Sequence, residues 1–118
     1  MNKDDMKYRT KQFALEIVKF VYSLPREKIS DVLGRQLLRS GTSVGANYRA
    51  ACRAKFTADF IAKMGIVEEE ADESIYWMEL LIGGGIVNAN SLESLMKEAD
   101  EILAITVSSM KSARIKDK

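Results

Sequence analysis

Phe60, Met64, Val67, Ala71, Ser74, Met78 and Leu81 recur at intervals of 4, 3, 4, 3, 4 and 3 without a break. A strand turns its side chain over at every residue, so only a helix gathers these seven positions on one face. The same alternation is the knobs-into-holes spacing of a helical bundle, and it demands partner helices with matching stripes.

Three such partners are legible. Thr10, Phe13, Ile17, Phe20 and Leu24 form a stripe in a first helix, and Pro25 then biases Leu24 to an extended backbone and ends it. Leu33, Leu37, Gly41, Val44, Tyr48 and Ala51 face inward on a second helix, which begins between Pro25 and Asp31 with Pro25 in the first turn or Ser30 as cap. The third helix starts after Phe56, with Thr57 as cap, Asp59 at the positive end and Phe56 stapled onto Ile61. Gly83, Gly84 and Gly85 stop it, because glycine reaches the left-handed region freely. Asn90-Ser91-Leu92-Glu93 resembles a capping box and opens a fourth helix with Leu92, Met96, Ala99, Leu103, Thr106 and Met110 inward. The tail from Lys111 to Lys118 is polar and expected to fray. The expected elements are helices at about 7–23, 28–54, 58–82 and 91–111, one domain of 1–118. Short connections favour an antiparallel up-down-up-down four-helix bundle, an all-α fold.

Residues 40–53, Ser-Gly-Thr-Ser-Val-Gly-Ala-Asn-Tyr-Arg-Ala-Ala-Cys-Arg, add a second constraint. Gly41 and Gly45 stand four apart, share a face and leave a groove for a neighbouring backbone. Each costs about 1 kcal/mol against alanine in a helix interior, so packing must offset them. Arg35, Arg39, Arg49 and Arg53, with Thr42 and Ala46 between, fall on another face as a cationic stripe that Lys55 extends. Gly41, Ser43, Gly45 and Asn47, joined by Tyr76 and Trp77, are the candidate contact residues for helix packing or an interface between copies. An aromatic pair such as Tyr76-Trp77 is core, interface, or a platform for a nucleotide base.

The net charge of +1 conceals a division: residues 1–63 carry 13 Lys or Arg against 6 Asp or Glu, and residues 64–118 carry 5 against 11. The halves can neutralise each other within a protomer, attract between protomers, or leave the basic half facing a polyanion, RNA or DNA. In the second case Arg39 or Arg49 meets Glu69, Glu73 or Glu79 of a neighbour. The charged N-terminus has no apolar segment behind it, and the longest apolar stretch, Met78 to Val87, is too short to span a bilayer. Cys52 is a lone cysteine among helix formers, which fits a small packed thiol in a reducing compartment, so the expected setting is cytoplasmic.

Histidine is absent from the sequence, which removes His-based zinc and di-iron sites and Ser-His or Cys-His nucleophiles. One enzymatic pattern survives. Glu69-Glu70-Ala71-Asp72-Glu73 and Glu98-Ala99-Asp100-Glu101 are acidic motifs on successive helices, a spacing similar to that of all-α nucleoside triphosphate pyrophosphohydrolases, where paired carboxylates hold Mg²⁺ against phosphates. Those enzymes favour Asp where this chain has Glu101.

The tract Leu37-Leu-Arg-Ser-Gly-Thr-Ser-Val-Gly-Ala-Asn-Tyr-Arg-Ala-Ala51 resembles the bacterial four-helix-bundle proteins encoded in 23S rRNA intervening sequences. The likeness continues through Lys55, Asp59-Phe60-Ile61-Ala62-Lys63 and Glu69 to Leu81, and covers roughly Lys11 to Met110. It implies a four-helix bundle, often a ring-shaped homopentamer, sometimes called a ribosomal protein, with no established activity. A related group, the accessory variability determinants of diversity-generating retroelements, forms similar pentamers that bind nucleic acid and a reverse transcriptase. That group is strongly basic, whereas this chain is near neutral. The expectation is a non-enzymatic homo-oligomer without cofactor, metal or small-molecule substrate, with RNA or DNA as a candidate partner of Arg35, Arg39, Arg49, Arg53 and Lys55.

Overall fold

The computed structural model describes residues 2–116. These fold into four helices, α1 (Lys3–Tyr22), α2 (Lys28–Cys52), α3 (Thr57–Gly83) and α4 (Glu93–Lys116), with a short 3₁₀ turn at Ala89–Leu92 before the last. Neighbours in sequence are neighbours in space: α1 packs on α2, α2 on α3 and α3 on α4, while α1 and α4 touch over a shorter stretch. Facing residues run in opposite order along each pair, as where Thr10 and Ile17 of α1 meet Gly45 and Gly41 of α2. The result is an antiparallel rod of about 50 × 20 × 19 Å.

The inward stripes form its core. Met64, Val67, Ala71, Ser74, Met78 and Leu81 of α3 are fully buried, and only Phe60 of the expected seam is half-exposed. Thr10, Phe13 and Ile17 of α1 join them, as do Leu37, Val44, Tyr48 and Ala51 of α2, and Leu92, Ala99, Ile102, Thr106 and Met110 of α4. Ile102 takes a central place that the spacing assigned to Leu103, which is half-buried beside it. The buried hydroxyls are answered locally. Thr10 donates to Met6 O and Thr106 to Ile102 O, while Ser74 donates to Glu70 O and meets Ser40 Oγ at 2.8 Å.

Several helix ends differ from expectation. The first helix begins earlier, at Lys3, because Asn2 and Asp5 form a capping box: Asn2 Oδ1 accepts from the Asp5 N–H and Asp5 returns the bond. Neither Pro25 nor Ser30 starts α2. Glu27 is its cap, and its carboxylate accepts from the N–H of Ser30 and Ile29 and from the Ser30 hydroxyl. Thr57 is the first helical residue of α3 rather than its cap, and Phe56 is exposed, so no staple onto Ile61 forms. Asn88, two residues before the expected box, caps the 3₁₀ turn by accepting from Ser91. Of the tail expected to fray, the residues to Lys116 are helical, and 117–118 lie outside the described residues. The glycine stop of α3 is a Schellman turn: Gly85 takes φ +75°, its N–H bonds to Ile82 O, and the Ile86 N–H bonds to Leu81 O.

Gly41 and Gly45 fix how α1 and α2 meet. A Cβ at Gly41 would stand 2.9 Å from Ile17 Cγ1, and one at Gly45 would stand 3.2 Å from Thr10 Oγ1. Ile17 is fully buried and branched at Cβ, so it cannot swing aside. Gly41→Leu is expected to lower stability by about 2–3 kcal/mol through overpacking. Gly83→Ala, with open space around its Cβ, should raise it by up to about 1 kcal/mol; urea unfolding of both variants checks the contrast.

The hydrogen bonds from Ser30 and Ile29 hold the Glu27 carboxyl below its usual value. A depressed folded-state pKa stabilises the protein above the unfolded carboxylate value, and that stability is lost as pH falls through the folded one. Glu27→Gln should therefore lower the urea midpoint at neutral pH, and its gap to the parent protein should narrow as pH falls below the ordinary carboxylate range, a trend read from midpoints across acid pH.

Candidate nucleic-acid interface

All four arginines of the expected stripe are exposed on the outer side of α2, yet they do not form one site. Arg35 and Arg53 are 18 residues apart, about 27 Å at the helical rise. Between them, Arg39 is drawn across to α3, where Nη1 donates to Glu70 at 3.0 Å and Nη2 donates to Glu73. Glu73 also accepts from Trp77 Nε1 at 3.2 Å. Of the arrangements open to the divided charge, Arg39 takes the one within the protomer and not a carboxylate of another copy. The Ser40–Ser74 contact sets the α2–α3 register so that Glu70 and Glu73 of the same chain lie across from it. The stripe is thereby divided, with Arg35 near the start of α2 and Arg49 and Arg53 near its end.

Antiparallel packing then supplies those two with new neighbours. The start of α1, the end of α2, the start of α3 and the end of α4 meet at one end of the rod, where Lys3, Lys55 and Lys116 line a common cleft with Ala51, Phe60 and Ala113. Segments 3–11, 49–63 and 111–116, which make up this end, carry 11 Lys or Arg against 3 Asp. The intervening segments 12–48 and 64–110 carry 6 against 13. The fold converts a division along the sequence into a division along the long axis. A groove of about 850 Å³ opens at the basic end between α1 and α4, with Met6, Tyr48, Phe60 and Ile105 in its wall and Lys3 and Lys116 among its cations. Burial pushes the Tyr48 phenol above its ordinary value and keeps it neutral.

The contact residues separate into two groups. Gly41 and Gly45 are buried against α1 of the same chain, so their groove is filled from within. Ser43 and Asn47 remain half-buried on the surface, where Asn47 Nδ2 donates to Ser43 O and Oγ at 2.9 and 2.8 Å. Tyr76 is exposed and Trp77 half-buried, with their rings edge to face at 5.3 Å. Cys52 is half-buried. Lys3, Lys7 and Lys11 of α1 and Lys111, Arg114 and Lys116 of α4 were missing from the sequence-based site. Their available signal was the i, i+4 pair Lys7–Lys11 and the basic last turn of α4, which mean little until topology brings the helix ends together.

The two acidic motifs do not converge. Glu70 and Glu73 lie on the α2–α3 seam under Arg39. Glu98 and Glu101 lie on the α1–α4 seam, where Arg9 Nε and Nη2 grip Glu98 at 2.7 Å each and Nη2 reaches Glu101 at 2.9 Å. The seams are on opposite sides of the bundle, and no three carboxylate or cysteine side chains are grouped as a metal site among the described residues. The arrangement expected of a Mg²⁺-dependent pyrophosphohydrolase is thus not assembled. The Glu98 hydrogen bonds hold the Arg9 guanidinium above its usual value despite partial burial. Arg9→Ala is expected to cost about 1–3 kcal/mol. The loss should shrink when Glu98 and Glu101 are already Gln, a coupling measured by a double-mutant cycle in urea.

No helix among the described residues is long and apolar enough to cross a membrane. No curated protein matches the chain. A crystal structure of a protein of unknown function from the S23 ribosomal protein family of Bacteroides thetaiotaomicron VPI-5482 is similar, with 39% identity, a TM-score of 0.87, and coverage of 94% of this chain and 99% of that one. The family model of the 23S rRNA-intervening sequence proteins matches residues 3–108, which include every helix up to the last two turns of α4. The four-helix chain with its Gly41–Gly45 contact therefore belongs to the 23S rRNA-intervening sequence protein family.

Proposed function

We propose that this protein is a non-enzymatic RNA-associating homo-oligomer, built as the ring of five copies that its family resemblance implies. The observation that carries the RNA part is the basic end: segments 3–11, 49–63 and 111–116 hold 11 cationic side chains against 3 carboxylates, and ten remain once Arg9 is set aside for its pairs with Glu98 and Glu101. A surface of one sign that spans four helix ends attracts phosphates through counterion release, whatever the net charge of the chain. Near-neutral composition is then no obstacle, because the compensating acids sit elsewhere on the rod.

The other part of the rod supports self-association. Ile29 and Val32 of α2 are exposed, as is Tyr76 of α3, with Trp77 half-buried beside it. The Ser40–Ser74 register carries both pairs toward the same end of the α2–α3 seam, away from the basic end. Exposed apolar side chains along this seam offer a contact surface between copies. One end of the protomer thus joins copies while the other faces RNA, and the Arg39 ion pairs lie between.

Light scattering coupled to size exclusion, with and without ribosomal RNA at low and moderate salt, tests both halves. The parent protein is expected to show a mass that is a multiple of the subunit and to shift with RNA at low salt only. Val32→Asp with Tyr76→Asp should yield single subunits, and Arg53→Glu with Lys55→Glu should lose RNA with the oligomer intact. A single-subunit mass for the parent at micromolar concentration contradicts the oligomer, and an unshifted elution with RNA contradicts the association.

A further inference from the structure

A notch of about 280 Å³ lies between α1 and α2 on the flank of the basic end, with Lys7 and Lys11 on one wall, Arg49 on the other, and Ala14, Gly45 and Ala46 in its lining. Two properties set it apart from the remaining charged surface. First, its lining contains no carboxylate, and among the described residues none of its three cations makes an ion pair, whereas Arg9 and Arg39 are each held by two glutamates. The acids nearest in sequence are Asp4, which makes no ion pair, and Asp5, which is engaged with Asn2 in the helix cap. Second, the small residues and the close approach of Gly45 to Thr10 leave a recess in which three like charges face one another across two helices. Such a group lowers its own repulsion by sharing one anion with several oxygens, and phosphate suits it because its oxygens reach both walls.

Beside this recess stands Tyr8. It follows Lys7 directly, precedes Lys11 by three residues and so adjoins it on the helix surface, and it is 67% exposed. An aromatic face next to a phosphate seat meets the base of the same or the adjoining nucleotide. In a duplex the base faces are already stacked on one another, so only an unpaired strand can use it.

We infer that the α1–α2 notch is a seat for single-stranded RNA, with a phosphodiester group between Lys7, Lys11 and Arg49 and a neighbouring base stacked on Tyr8. This rests on the RNA association proposed above and adds the site and the strandedness. Lys7 and Arg49 hold the backbone, the lining limits its depth, and Tyr8 excludes paired RNA from the full set of contacts.

The test is fluorescence anisotropy of the full chain with a labelled 20-nucleotide oligouridylate and with a duplex of equal length, alongside thermal unfolding of each variant. Ala46→Leu fills the notch without altering charge, and Arg49→Gln removes one wall. Each should weaken oligouridylate binding about tenfold with unchanged unfolding, and Arg49→Gln should reduce the slope of log K against log salt by about 0.7. Tyr8→Ala should weaken the single strand about tenfold and leave the duplex unmoved, with Tyr8→Phe restoring the loss. Lys111→Gln with Arg114→Gln, basic but outside the notch, should cost the single strand less than either notch variant. If the notch variants cost no more than that control, or if Tyr8→Ala leaves single-strand affinity intact, the seat is overturned while RNA association by the basic end stands. If neither RNA binds the parent protein, both fall.

Discussion

The approach of α2 to α1 at Gly41 and Gly45 is the constraint on which the rest of this molecule depends. With Ile17 and Thr10 seated where side chains would otherwise stand, the two helices can meet in only one register. That register puts Lys7 and Lys11 opposite Arg49. Two mid-helix glycines weaken α2 by about 1 kcal/mol each, and the buried contact of Ile17 offsets them. Of the two readings of this tract, helix packing or contact between copies, its glycines serve the first, and their consequence for the surface is indirect: they determine which cations become neighbours.

Charge placement follows from that joint together with the antiparallel course of the chain. Read linearly, the sequence is basic in its first half and acidic in its second. Folding brings Lys111, Arg114 and Lys116 from the acidic half to the basic end, while Asp31 and Glu27 from the basic half go to the other. Two arginines are consumed within the chain, Arg9 of the basic end by Glu98 and Glu101 and Arg39 of the middle of α2 by Glu70 and Glu73. These pairs tie α1 to α4 and α2 to α3, and they occupy the carboxylates that a metal would need. At half exposure the Arg39 pair contributes about 0.2–1 kcal/mol, so it serves orientation more than stability. What remains unpaired is concentrated where the four helix ends meet.

The fold was legible because periodicity reports which face of a helix is buried, and α3 carries that signal through seven positions, six of them fully buried. Helix ends were less legible, since Glu27 and Asn88 cap through side-chain geometry that a preference for Ser or Thr does not single out. The site was legible in part. Arg49, Arg53 and Lys55 do lie at the basic end, but the spacing that aligned them with Arg39 could not say that Glu70 and Glu73 stand across from it. Nor could it place Lys7 beside Arg49. Periodicity gives each helix a face and leaves the partner and register open, and those depend on contacts such as Ser40 with Ser74 that link residues 34 apart.

The most direct test of this picture is to follow backbone amide NMR shifts of the intact protein while a short oligouridylate is added. Perturbations are expected at residues 3–14, 42–55 and 111–116, with the acidic segments 68–73 and 93–101 unmoved. Shifts centred on Arg35 and Arg39, spread evenly over the rod, or missing throughout would contradict it.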